Sequence, residues 1–455
     1  VTEEGRPDSR SHIPFPAGLL WDQSLVWGLI CVETLKSLDV PFRVLSAQEI
    51  ASGALGDFRV LIVPGGWAAH KVKALGRQGR TAVARFVDGG GSYLGFCGGA
   101  GLALASPPSL GLVPLERLPL SERLPNASGE VIIRGRTDHS AWQDLPPSLP
   151  VSIWWPSQFR NPSAAACGTL AVYERPGRDF RVADLPIDAC RDSKTRWEVW
   201  EKSYGINLDP RRILGHPAVI EVERGKGRLV LSYPHLETPG DLWGNRLFAN
   251  LLQYLDQQAA AHLPLKNPGQ YAAEPDAFPE TARPCRETLE RLEAAHREAE
   301  ELIRFGEENL LWSWRRSWLL QWQRGIRGLE YGTLAVSLRF LCREISSLDL
   351  SDKPVDAWRK PAVQIQRDVA DFCQEAKRLL LEEKAAGQNA NLSKLQSVNP
   401  TVDALRARLF GSGMSHGGFS RRIFDTLDAM LLNALRRWMP VQAWADGLSH
   451  RSGTP

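Results

Sequence analysis

An open α/β sheet followed by an all-α bundle is the architecture this sequence predicts, and three observations predict it. From about residue 16 to 256, short β-branched runs alternate with amphipathic stretches and are punctuated by Gly and Pro, as βα units require. From about 259 to 284 the composition changes to scattered Ala and Pro without a period, which reads as a linker. Beyond it, apolar residues recur at helical spacing. The expected division is an α/β domain over 1–257, a linker over 258–284, a helical domain over 285–440 and a tail over 441–455. A chain of 455 residues exceeds one ordinary core, so more than one domain is expected on length alone.

Phe58 to Pro64 (FRVLIVP) is a nearly continuous apolar run ending in Pro-Gly-Gly, the pattern of a buried parallel strand whose carboxyl end opens into a loop. Val72 to Val87 has helical spacing. Ser92 to Phe96 (SYLGF) reads as another buried strand, and the small residues after Cys97 lead into a helix through Leu104, so Cys97 falls at a strand-to-helix turn. Pro107 to Pro217 is rich in proline and loops, and short antiparallel strands are expected there. Ala218 to Val222 and Arg228 to Ser232 read as strands about a turn at Gly225 to Gly227, the second ending at Tyr233-Pro234-His235. Asn245 to Gln257 is the helix that closes the domain.

In the second half, Arg286 to Phe305, Leu310 to Ile345, Val363 to Lys384 and Val402 to Trp438 show helical spacing. Breaks are expected at 351–354, 387–399 and 411–418, and a helical bundle is the simplest arrangement. Trp314, Trp318 and Trp322, spaced by four, would share one helix face and fit a bundle core. Arg315, Arg316 and Arg324 between them leave a membrane-surface or partner-binding face as the alternative.

Composition narrows the function classes. Apolar residues make up 43% and charged residues 24%, as in globular proteins, and a net charge of +3 without a Lys/Arg block does not suit a phosphate backbone, so nucleic acid is not an expected partner. The polar start VTEEGRPDSR lacks the pattern of a secretory signal and no apolar run is long enough to span a bilayer, so a cytoplasmic location and no transmembrane segment are expected. The seven cysteines are scattered and without CxxC pairs. They suggest neither a disulfide framework nor a zinc site, and neither a metal nor another cofactor is expected.

The chemistry concentrates in Gly95-Phe96-Cys97-Gly98-Gly99-Ala100-Gly101. A nucleophile on a tight strand-to-helix turn needs a strained backbone, and glycines on both sides relieve the crowding. The helix start would favour negative charge at the sulfur and offer N–H groups to a developing oxyanion. A buried cysteine in a Gly-rich packing turn would carry the same letters. His235 in SYPHLETPG is the candidate base, since it follows a buried strand. Glu237, two residues on, projects the same way in an extended segment and can hold the imidazole. Val63-Pro64-Gly65-Gly66-Trp67 ends the earlier strand, and its Gly66 and Trp67 N–H groups could complete an oxyanion hole with Gly98, unless it is only a tight βα turn. Asp138-His139 and His216 fall in loops and read as surface or structural groups.

Together, VPGG, GFCGGAG and the late PHLE resemble the class I glutamine amidotransferase-like superfamily, and within it the family named for the amino-terminal domain of biotin-protein ligases. The resemblance covers roughly Phe15 to Asp256. It implies a flavodoxin-like open sheet, with Cys97 as nucleophile, His235 as base, Glu237 as its partner and oxyanion donors near Gly66 and Gly98. By the same fold analogy Gly65, Trp21, Asp22 and Trp27 line the pocket. Glutaminases of the superfamily carry Gln four residues after the nucleophile, where this chain has Gly101. No synthetase or biotin-transfer module is recognisable after the linker.

Two functions of different class follow. One is a cytosolic thiol enzyme attacking an amide or acyl carbon of a small molecule or peptide through a Cys97 thioester. The other is a binding or regulatory module that keeps the fold while its helical half engages a protein partner.

Overall fold

The computed structural model describes residues 17–160, 167–187, 197–263, 283–353, 355–387, 396–413 and 416–436. Most of the expected linker and all of the expected tail lie outside these residues, as does Cys190. In chain order the first half contributes β1 (Ala17–Leu20), α1 (Val26–Ser37), β2 (Phe42–Leu45), α2 (Ala47–Ala51), β3 (Val60–Val63), α3 (Ala68–Asp88), β4 (Ser92–Phe96) and α4 (Gly98–Ala103). It continues with β5 (Ala127–Gly135), β6 (Ser148–Trp154), β7 (Gly168–Pro176), β8 (Arg181–Val182), β9 (Leu185–Pro186), α5 (Trp197–Tyr204), β10 (Pro217–Arg224), β11 (Gly227–Ser232) and α6 (Leu242–Ala260).

These strands form one mixed sheet in the order β2-β1-β3-β4-β11-β10-β7-β5-β8-β9, with β6 beside β5. The five at one side, β2, β1, β3, β4 and β11, are parallel, while β10, β7, β5, β6, β8 and β9 are antiparallel to their neighbours. The parallel part has the 2-1-3-4-5 order of a flavodoxin-like sheet, and the fold class is the one expected. Alternate side chains serve different faces: Leu61 and Val63 pack with Leu75, Val83 and Phe86 of α3, whereas Ile62, Leu94 and Val230 pack with α1 and α6.

The second half contains α7 (Arg286–Glu308), β12 (Trp312–Arg316), β13 (Leu319–Trp322), α8 (Gly328–Ser346), α9 (Asp356–Gly387), α10 (Pro400–Phe410) and α11 (Gly418–Leu435). The helix expected over Leu310 to Ile345 is corrected: its first part is an antiparallel hairpin, with Trp312 opposite Trp322 and Trp314 opposite Leu320. A spacing of four is two strand periods as well as one helical turn, so the tryptophan stripe satisfied both readings. What separates them is Leu310, at φ 59°, and Gly306, where a Cβ would stand 2.0 Å from the Trp312 indole, so α7 ends and the chain folds back.

The core does not stop at the composition break. Apolar residues of α7, α8, α9 and α11 are continuous with those of β1, α1, β6 and α6. Polar contacts cross the same boundary. Trp21 Nε1 donates to the Asp428 carbonyl at 2.9 Å, the Gln23 N–H donates to Asp428 Oδ2 at 2.9 Å, and Lys36 pairs with Glu344 at 3.1 Å.

Candidate active site

Cys97 stands between β4 and α4 with φ 46° and ψ −101°, a conformation that a residue with a side chain adopts only when its surroundings impose it. Its N–H donates to the Ser232 carbonyl at 2.7 Å, tying the turn to the end of β11. The glycines are there for backbone approach: a Cβ on Gly98 would lie 1.8 Å from the Gly66 carbonyl oxygen, and one on Gly99 would lie 1.9 Å from that of Val63. Gly66 itself, at φ 105°, presses against the Gln23 carbonyl. The two Gly-rich turns after β3 and β4 are thus in direct contact, and the thiol, partly exposed, lies 3.9 Å from the Trp154 carbonyl.

The third strand end supplies the imidazole. His235 and Glu237 are fully buried, and the ring Nδ1–H donates to Glu237 Oε1 at 2.7 Å. The loop carrying them is held from several sides: the His235 N–H donates to the Ser152 carbonyl, Asn245 bonds the carbonyls of Leu236 and Thr238, and Thr34 bonds that of Glu237. Burial opposes charge on the ring, but the Glu237 carboxylate and the Cys97 sulfur outweigh it and push His235 up to about 10. Nε2 makes no hydrogen bond of regular geometry, yet the ring is close enough to Cys97 for the thiol to act on it by charge and by hydrogen bonding.

Of the residues expected to line the pocket, Gly65 and Trp27 meet the imidazole. A Cβ on Gly65 would be 3.0 Å from His235 Cε1, and the Trp27 ring lies 4.6 Å from that of His235. Trp67 caps the start of α3 and is 37% exposed. Trp21 and Asp22 are engaged elsewhere, Trp21 with Asp428 and Asp22 as acceptor for the Ala47 N–H at 2.6 Å, beside the start of α2. The sequence reading missed an aromatic wall. Trp154 and Trp155 at the end of β6 and Trp318 and Trp322 of the hairpin close around Trp27, with Trp318 at 6.0 Å from Trp27 and 5.4 Å from Trp154, and Trp155 stacked on Trp322 at 5.0 Å. The signal for it was the WW pair in a strand-like segment, but nothing local said which face it would meet.

His139, by contrast, accepts from the Ala141 N–H and approaches Glu221, whose carboxyl is pushed down to about 2. Burial opposes that shift, and His139, Tyr254 and Arg228 overcome it. This network buttresses β10 and includes no nucleophile. An open depression of about 630 Å³ lies on the helical half among α9, α10 and α11, lined by Asp371, Glu375, Arg408 and Arg422, and contains none of Cys97, His235 and Glu237. Among the described residues no group of His, Cys, Asp and Glu is arranged to hold a metal ion, no helix is long and apolar enough to cross a membrane, and six cysteines are free thiols.

Residues 54–106, which span β3 to the end of α4 and contain both Gly-rich turns, match the family model described as "Biotin-protein ligase, N terminal". Solved structures similar to the chain include a candidate GMP synthase component from Thermoplasma acidophilum, 14% identical, covering 55% of this chain and 96% of that one at a TM-score of 0.34. A glutamine amidotransferase from Thermotoga maritima is 11% identical over 56% of this chain and 100% of that one, TM-score 0.31. A β-galactosidase from Bacillus circulans sp. alkalophilus is 14% identical over 56% of this chain and 32% of its own, TM-score 0.30. No curated protein matches the chain.

Proposed function

We propose that this chain, whose first half is glutamine amidotransferase-like, is a cytoplasmic cysteine-dependent amidase or acyl-transfer enzyme acting on a small-molecule or peptide amide. The buried His235–Glu237 pair beside the strained Cys97 turn is the observation that carries this reading. In the resting pair His235 already holds the proton given up by Cys97, and the sulfur attacks the carbonyl carbon. The resulting oxyanion is met by backbone N–H groups of the touching turns at Gly66, Trp67 and Gly98. Collapse expels the amine, which takes the proton from His235, and leaves a Cys97 thioester. Water or an acceptor amine, deprotonated by the same imidazole, then releases the acyl group. Glu237 keeps the ring oriented and stabilises its charged form. The residues after the composition break act as a second, helical domain that supplies lid or partner surface and no reacting group.

A thiol-reactive acyl probe followed by mass spectrometry tests this. Cys97 should carry the label, Cys97→Ser should abolish it, and His235→Gln should slow it by about 100-fold. Labelling of Cys31, Cys167 or Cys342 in its place would favour the binding module.

A further inference from the structure

We propose that Arg117, Arg123 and Tyr233 form a subsite for a carboxylate carried by the substrate close to the bond that Cys97 attacks. This rests on Cys97 being the nucleophile and adds the chemical class of what it attacks. The placement follows from the backbone. Ser232 accepts the Cys97 N–H, so Tyr233 is next to the nucleophile, and its ring packs on Phe159 at 4.3 Å. Arg117 pairs with Phe159 as an antiparallel bridge, which brings its side chain over the first turn of α4. There Arg117 Nη1 is the heavy atom nearest to the position a Cβ of Gly101 would take, at 4.0 Å. Arg123 is held from behind: its carbonyl accepts from Asn207 Nδ2 at 2.8 Å, the next N–H donates to Gln158 Oε1, and its guanidinium bonds the Ser157 hydroxyl.

These charged and polar groups are only partly satisfied. Arg123 Nε is buried with no hydrogen-bond partner, and the hydroxyl of Tyr233, a residue only 1% exposed, has the Ser157 hydroxyl beside it without a bond of regular geometry. Among the described residues neither arginine has a carboxylate partner, and the neighbouring Glu116 turns to Arg160 at 3.6 Å. Burial and the charge of Arg117 both act against the Arg123 guanidinium, while Tyr233 and Cys97 favour it, so the two arginines repel one another with no acid between them. Tyr233 is held protonated by burial, which outweighs the opposing influence of the nearby Ser157 hydroxyl and the two arginines, and it remains a donor. Two guanidinium groups and a phenol O–H, near enough to one another and to Cys97 to act on each other by charge, are the donor set that suits a planar carboxylate. Cys97, Arg117, Ser157 and Arg123 are all partly exposed, so the place is open to solvent.

Iodoacetate and iodoacetamide differ in little but charge, and both alkylate Cys97, so the ratio of their rate constants reads the subsite. In the full-length protein, iodoacetate should react with saturation. Arg123→Gln and Arg117→Gln should each lower the iodoacetate-to-iodoacetamide ratio about tenfold, the loss of one charged hydrogen bond. Weaker activation of the thiol, or a purely structural role, would slow both reagents alike and leave the ratio unchanged, and that result overturns the proposal. A second arm needs no variant: succinate should protect Cys97 from iodoacetamide and neutral succinamide should not. Equal or absent protection by the two counts against the subsite. Failure of iodoacetate alone would overturn the subsite and leave the nucleophile, whereas failure of both reagents to label Cys97 would remove the nucleophile itself, and the subsite with it.

Discussion

The unusual backbone of Cys97 survives because its neighbours have no Cβ. With φ 46° the residue sits where side chains are rarely tolerated, and the turn is made possible by the two close approaches at Gly98 and Gly99. A single methyl at either would need the β3 turn to move. The imidazole is equally dependent on its surroundings. Its value is raised above the ordinary one of 6.5, so the sign is that of a base gaining partners. The stabilisation from the His235–Glu237–Cys97 set is complete below about pH 6.5 and is lost as the pH rises through about 10. By NMR the His235 ring should therefore keep imidazolium shifts at pH 8, and Cys97→Ser should bring its midpoint down. A ring that titrates near 6.5 in the native protein would contradict the charge relay.

At the scale of elements, the hairpin β12–β13 brings aromatic side chains of the second half up to the candidate site. Arg315 anchors it, bonding Ser128 Oγ at 2.9 Å and Asp179 Oδ2 at 3.1 Å with its guanidinium 5.3 Å from the Trp154 ring, while Trp318 at the turn is buried among Trp27 and Trp154. If Cys97 forms the proposed thioester, packed indoles at this place would keep water from it better than a polar loop would. Trp318→Ala should cost about 3 kcal/mol of stability, as for other buried aromatics, and should admit bulky maleimides to Cys97 faster relative to small ones. Denaturant melts and paired labelling rates measure the two effects. An unchanged size preference would mean that the hairpin packs on the domain without guarding the thiol.

For the whole molecule, the shared core matters more than the change in composition. Helices α7, α8, α9 and α11 bury apolar residues in the same cluster as α1, α6 and β6, and Asp428 of α11 receives bonds from both Trp21 and Gln23. Cooperative unfolding follows interface area and burial, so scanning calorimetry should show one transition for the full chain, with the calorimetric and van't Hoff enthalpies in agreement. Two separated transitions would indicate that the helical half is stable by itself, with its contact to the α/β half only a docking surface.

Local information was enough for β3 and β4, since a short apolar run closed by Pro-Gly-Gly or by Cys-Gly-Gly has few other ways to fold, and Ser92–Phe96 appears with the expected limits, whereas β1 and β2 were not foreseen. It was enough, too, for the strand-end positions of Cys97 and His235, because glycine requirements and period-two spacing act within a few residues. The Trp314, Trp318 and Trp322 stripe was not legible, because a spacing of four obeys both periods and the choice lay in the packing of Trp312 on Gly306. Nor could spacing show that Trp21 turns to Asp428, 407 positions away, or that Arg117 comes to rest over Gly101 of α4. Those contacts depend on which faces the folded elements bring together, and the energy that selects them, burial of apolar area across distant segments, is absent from any short window of the chain.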